Sequence, residues 1–296
     1  KGRVMPTLLN SAKITATELT EIFNQLKHIY NVESVDPARK EHIQDSVRQY
    51  GYLPYPHIKA LEELSPAETI IGIEEKLKIN KTYNDNKFCY KEDEISAVKR
   101  AGFENSSWIK NEQHNIKLTN LAGLGDGNKS NKAGKFIDWL KQLLILPSGN
   151  LEKNIISTTM YLIPFHPRDF GCAYLPTSSG VSSALEDSLL KEKLGLSAKE
   201  QVKIFLTLTQ LAGHPIMFDV LPQTGRYSKT VLANPFVARW FNIKDLIAKI
   251  EWDLNQISDN IKQEYNANDV DYVKSLISKN LNGDYQNIPE NLMHIY

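Results

Sequence analysis

The chain has 296 residues, 41% of them hydrophobic and 24% charged, the ordinary balance of a globular protein with room for one large domain or two small ones. Lys+Arg and Asp+Glu both number 35, so the formal net charge is zero and no basic field exists to steer the chain onto nucleic acid. Two cysteines, Cys89 and Cys172, are too few for a secreted disulfide framework, and no apolar run approaches the ~20 residues that a membrane span needs.

The start, KGRVMPTLL, has too short an apolar core for a signal peptide and lacks an initiator Met, so native residues are expected before it. Free thiols and no leader point to the cytoplasm. From Lys1 to about Asn111 the chain reads as helical and polar. Thr15 and Glu18 have the spacing of a capping box, and Leu19, Ile22, Phe23, Leu26, Ile29 and Tyr30 then fall on one helical face. Glu41 to Tyr50 continues as helix, and Pro54 and Pro56 break it. Thr69 to Lys78 fits a strand or a helix, because periodicity does not separate the two. Nothing in this region has catalytic spacing. A helical extension or a partner-binding domain is the expectation.

At His114 the pattern changes. Ile116 to Thr119 reads as a short strand, followed by a glycine-rich loop, Gly123-Leu124-Gly125-Asp126-Gly127. The loop lacks both the GxGxxG order of a dinucleotide fold and the Lys-Ser/Thr ending of a P-loop. Asp126, Asn128 and Ser130 imitate the start of a calcium loop, but Asn131 and Ile137 stand where that loop needs Gly and Glu. A plain strand–loop–helix unit remains, with Phe136, Ile137, Leu140, Leu143 and Leu144 forming the apolar face of the helix.

The next unit is a buried strand, Ile155 to Ile163, ending at Pro164. Its long loop carries His166, Arg168, Asp169 and Tyr174. Helices follow from Ser183 to Lys193 and from Ser197, the second opened by a Ser197–Glu200 capping box and stopped by Gly213-His214-Pro215. A third strand, Ile216-Met217-Phe218, reaches Asp219 and a polar loop with Pro222, Gln223, Gly225, Arg226 and Tyr227. Beyond Phe236 the chain reads as helical, through Leu246 to Ile261 and through Val273 to Leu281, with no clear fourth strand.

Strands alternating with helices predict a parallel sheet with right-handed crossovers. An open doubly wound sheet and a (β/α)8 barrel both fit. Without a nucleotide-binding loop, the α/β expectation is a partial TIM-type barrel over 114–296, preceded by a mainly helical region over 1–113.

Three strand ends in order carry a family resemblance. The segment IKLTNLAGLGDGNKSNKAGKFIDWL resembles the first strand and helix of amylomaltases and sucrose phosphorylases. MYLIPFHPRDFGCAYLPTSS resembles the strand-two ending "LPF" or "LPL", which in that clan leads to a sugar-stacking aromatic. IMFDVLPQTGRYS resembles the α-amylase strand-three motif D-x-V-x-N-H, and Val231-Leu232-Ala233-Asn234-Pro235 resembles V-W-A-N-P of amylomaltases. The resemblance covers about His114 to Phe236.

It implies an enzyme acting on α-glucosidic bonds by a retaining double displacement. The substrate would be an α-glucan or oligosaccharide. Separately, the zero net charge, the lack of a membrane-length apolar run and the lack of metal-ligand spacing give no nucleic acid, membrane, metal or cofactor as the expectation. Gln223 and Thr224 replace the clan's Asn and His; amylomaltases also lack that His. The family's G-x-R-x-D nucleophile motif and its later Glu and Asp are absent, so no nucleophile or acid is carried over. The resemblance then places those carboxylates beyond Tyr296, in the remainder of the same polypeptide. The competing expectation is a non-catalytic sugar-binding or scaffolding protein with a degenerate barrel of the same kind.

Asp219 is expected to wall a sugar subsite, and Tyr174 to stack on a glucose ring or pack structurally. Arg226 suits a ligand hydroxyl or a salt bridge. Asp169 and Asp219 end neighbouring strands and could form a dyad, although a carboxylate in that place more often holds a loop. His166 between prolines reads as structural rather than as a base, with Gln223 beside the same site. Trp108, Trp139, Trp240 and Trp252 read as packing residues. No cluster has metal-ligand spacing.

Overall fold

The computed structural model describes residues 14–53, 64–89, 114–124, 134–147, 157–168, 173–219 and 221. Three helices open it: α1 (Ala16–Ile29), α2 (Pro37–Tyr50) and α3 (Pro66–Ile79). A short antiparallel hairpin, β1 (Tyr83–Asn84) with β2 (Lys87–Phe88), follows them. The βα units are β3 (His114–Thr119), α4 (Phe136–Leu144), β4 (Ser157–Leu162), α5 (Ser188–Leu194), α6 (Ala198–Leu211) and β5 (Ile216–Phe218).

Local chemistry sets these boundaries. Thr15 caps α1 as its spacing predicts: its hydroxyl accepts from the Glu18 N–H at 3.2 Å, and Glu18 accepts from the Thr15 N–H at 2.8 Å. Leu19, Ile22, Phe23 and Leu26 are buried on the expected face. Asp36 caps α2 and Pro37 opens it, while Gly51 closes it in the left-handed region at φ 76°. The ambiguous stretch Thr69 to Lys78 is helix. Ser65 and Glu68 form its capping box, with Pro66 at the first position.

Helix α3 is the centre of the helical layer. Ile70, Ile71, Ile73 and Leu77 are fully buried, and Glu74, Glu75 and Lys76, which fill out the remaining circumference, are buried as well. An all-round buried helix loses the polar stripe that periodicity reads, which is why its sequence looked indeterminate. Its acids are matched from neighbouring helices: Lys27 of α1 reaches Glu74 at 2.8 Å, Arg48 of α2 reaches Glu75 at 2.7 Å, and Arg39 reaches Glu68 at 2.6 Å. Helix α3 packs on α2 and on α4, and α4 packs on α6. Gly72 makes the α3–α4 approach possible, since a Cβ there would stand 3.0 Å from Leu144.

Strands β3, β4 and β5 form a parallel sheet in sequence order. Each crossover therefore steps to the next strand in the same direction, and right-handed crossovers place their helices on one face. In register, Leu118, Tyr161 and Met217 form one row and Thr119, Leu162 and Phe218 the next. Thr158, Met160 and Leu162 are buried on the helix-bearing face. On the other face Ile116, Leu118 and Met217 are 56%, 59% and 38% exposed, with Tyr161 half-buried and Thr159 buried between them.

The chain divides into two compact units: Lys1–Ile163 with Ala184–Asp219, and Pro164–Ser183 with Val220–Tyr296. The first holds both the opening helices and the three-strand sheet, so the packing of α3 on α4 runs across residue 113. The helix expected from Ser183 divides into a 3-10 turn (Ser183–Leu185) and α5, capped by Asp187. The hairpin was not expected. Asp85 and Asn86 form its turn at φ 48° and 61°, the mirror-image turn that favours such residues. The breaks at Pro54 and Pro56, the loop residues Gly125, Asp126, Gly127, Asn128, Ser130 and Asn131, and the helices expected beyond Phe236 lie outside the described residues. So do Trp108, Trp240 and Trp252.

Candidate functional site

The carboxyl end of the parallel sheet is where a fold of this kind presents chemistry. Three strand ends meet there: Thr119-Asn120, Leu162-Ile163 and Phe218-Asp219. Asp219 is the single carboxylate among these described strand ends. It shares the exposed face with Leu118, Tyr161 and Met217, one row further on. The phenol of Tyr161 donates to Asp219 Oδ1 across the β4–β5 pair. Asp219 Oδ2 is buried and has no hydrogen-bond partner among the described residues.

Position and pairing follow from the strands. β5 is three residues long and leaves the ladder at Phe218, so the next side chain stands at the sheet's rim. Alternation puts Tyr161 and Asp219 on one face, and their diagonal offset is within reach of a long phenol. One carboxylate oxygen is therefore fixed and the other keeps its lone pairs for a donor. A carboxylate held this way can accept from hydroxyl groups of a polyol ligand, and charge-assisted bonds of that type are the strong ones. Tyr161 was missed in the sequence; the signal available was a phenol in an otherwise apolar and β-branched strand, on the same parity as the strand-end acid.

In the second compact unit, the loop after β4 folds back on itself. Ser182 N donates to Phe165 O at 3.0 Å, Thr177 N donates to Pro167 O at 2.8 Å, and Arg168 bridges Pro176 in antiparallel fashion. His166 Nδ1 donates to the Gly180 carbonyl at 2.7 Å, and the ring lies 5.2 Å from that of Phe165. That bond fixes the tautomer and gives His166 a loop-holding part, in keeping with the structural reading of it. Tyr174 is 45% exposed. Asp169, Gln223, Thr224, Arg226 and Cys172 lie outside the described residues, and so does any Asp169–Asp219 dyad.

Among the described residues no group of three or more His, Cys, Asp or Glu side chains could hold a metal ion. None of the described helices is long and apolar enough to cross a membrane. Trp139 is fully buried, with its indole N–H donating to Leu121 O at 3.2 Å, a packing part as expected.

A second polar cluster lies at the opposite, amino end of the sheet. Lys76 of α3 is buried and donates to Leu143 O at 2.9 Å and to Leu146 O, both at the end of α4. Burial pulls its amine down from 10.5 to about 7. His214, just before β5, is fully buried with Nδ1 on Thr158 O at 3.0 Å. Burial, with the nearby Lys76 charge, holds its imidazole well below the ordinary 6.5. In the sequence Lys76 fell in the stretch that fits strand or helix alike, and His214 in a helix stop.

Comparison with protein-family models, with curated proteins and with solved structures returned no match for this chain.

Proposed function

We propose that the chain carries the first three βα units of an α-glucan-acting enzyme of the α-amylase clan, with Asp219 as the wall of a sugar subsite. The observation that carries this is Asp219 itself: a strand-end acid with one oxygen fixed by Tyr161 and the other buried without a partner among the described residues. The resemblance of the three strand ends supplies the sugar. Sequential parallel order, with one apolar face of the sheet exposed, supports a singly wound barrel segment rather than a doubly wound sheet.

Retaining cleavage needs two carboxyl groups about 5 Å apart, one attacking and one protonating. Asp219 supplies acceptors for hydroxyl groups, and the attacking and protonating groups belong to later strand ends of the same polypeptide. A second reading, a sugar-binding protein without turnover, is favoured by one fact: the described strand ends carry a single carboxylate. Calorimetry with maltoheptaose, beside an assay for released glucose, separates the two. Binding that Asp219→Asn weakens by about tenfold or more, the loss of one charge-assisted bond, supports the subsite. Absence of binding overturns the sugar reading in both forms.

A further inference from the structure

Within the second compact unit, the loop after β4 is tied across its own neck. Ser182 N donates to Phe165 O at 3.0 Å and Thr177 N donates to Pro167 O at 2.8 Å, with Arg168 bridged to Pro176 beyond them. Pro167, Pro176 and Thr177 are buried, so the neck is anchored rather than solvated. Tyr174 and Leu175, on the tip side of the bridge, are both exposed. An anchored neck thus carries an exposed aromatic ring immediately beyond it.

One tie in this neck is a side chain. His166 Nδ1–H donates to the Gly180 carbonyl at 2.7 Å, and its ring packs 5.2 Å from that of Phe165. Ser179 and Gly180 are exposed, in a run of small polar residues with no apolar side chain to bury. The Gly180 N–H reaches only back along that run, to Ser178 Oγ at 3.4 Å. The His166 bond is what fastens the run across the neck, between the backbone bonds at Thr177 and Ser182. Nδ1–H is a donor in one neutral tautomer and in the cation alike, so the tie does not depend on the charge of the ring.

We propose that His166 is a positioning residue: through Gly180 it holds the loop after β4 in one shape and so presents Tyr174 as a preformed platform for a pyranose ring. The identity of the ligand rests on the sugar reading above; the brace rests on the loop's own bonds. A platform fixed before the ligand arrives spares the ordering cost that a loose loop would pay on binding. Tyr174 suits that part, because its ring offers a broad apolar face and its hydroxyl a polar edge. His166 touches no ligand in this arrangement and acts only through the ring it holds in place.

Fluorine-19 spectra of the whole chain carrying fluorotyrosine test the brace without any ligand, the Tyr174 signal being identified by its loss in Tyr174→Phe. In His166→Ala that signal is expected to move toward the position of free fluorotyrosine and to sharpen. His166→Asn keeps the wild-type position, because its Nδ2–H donor is bonded to Cγ as the histidine Nδ1 is. Calorimetry with maltoheptaose then reads the platform. His166→Ala weakens binding about fivefold, the loss of one hydrogen bond. In a Tyr174→Ala background it adds nothing, since it acts through that ring. A Tyr174 signal unmoved in His166→Ala, or His166→Asn behaving like His166→Ala, overturns the positioning role. A binding loss that persists in the Tyr174→Ala background overturns the link to Tyr174. A wild-type chain that ignores maltoheptaose overturns the sugar reading, while the ligand-free spectra still decide the brace.

Discussion

At the scale of single residues, the contrast between Asp219 and its neighbours decides what the sheet's rim can do. Tyr161 gives Asp219 Oδ1 its donor, and removing that phenol strands an acceptor in a partly buried place. Such a loss costs about 1–3 kcal/mol. Tyr161→Phe is thus expected to lower the unfolding free energy by about that amount in urea titrations. The same change weakens maltoheptaose binding less than Asp219→Asn does, because Tyr161 acts through the acid. Asp219 was legible in the sequence because a strand run ends on it. Tyr161 was not, since nothing in one strand states which residue of the next stands diagonally across from it. His166 shows the reverse case: its place between prolines already favoured the loop-holding part that its bond to Gly180 gives it.

Among elements, α3 is the one the sequence left open. Its apolar residues run together, Glu74, Glu75 and Lys76 are buried, and no clear stripe remains to set a period. The deciding signal was Ser65 with Glu68 and Pro66, an N-terminal signature that outranks periodicity here. Ser65→Ala is expected to lower stability by about 1 kcal/mol, with the melting temperature as readout. A larger effect belongs to the crossing of α3 and α4. Gly72→Val drives branched methyls into the buried Leu144 side chain, already 3.0 Å from a single added Cβ. Overpacking of this kind costs about 1–3 kcal/mol, and thermal unfolding reads it. The hairpin at Asp85-Asn86 was missed for a different reason: strands of two residues have no alternation to count, and only the turn pair announces them.

For the molecule as a whole, pH reports on how the helices meet the sheet. Lys76 ionises at about 7 in the fold and at 10.5 ordinarily. Between those values the unfolded chain holds a proton that the folded chain does not, so the Lys76 contribution makes stability rise as pH goes from 7 to 10.5. Below about 7 the amine is charged in both states and the cost of burying it is present in full. Lys76→Met should remove that rise from a series of urea titrations, leaving a flatter stability profile across the same range. Sequence alone foresaw the order of the three strands and the helices between them, because hydrophobic runs and caps are local. It could not place α3 against α4, or Lys76 against the Leu143 carbonyl, because those contacts join segments 67 or more residues apart.

The central claim is that the exposed rim beside Asp219 binds an α-glucan, and the Met217 methyl, on the same face, reports on it directly. Carbon-13 methionine spectra during a maltoheptaose titration should show the Met217 signal moving to saturation in the wild-type chain and staying still in Asp219→Asn. A Met217 signal that never moves, or one that moves equally in both proteins, would contradict the claim.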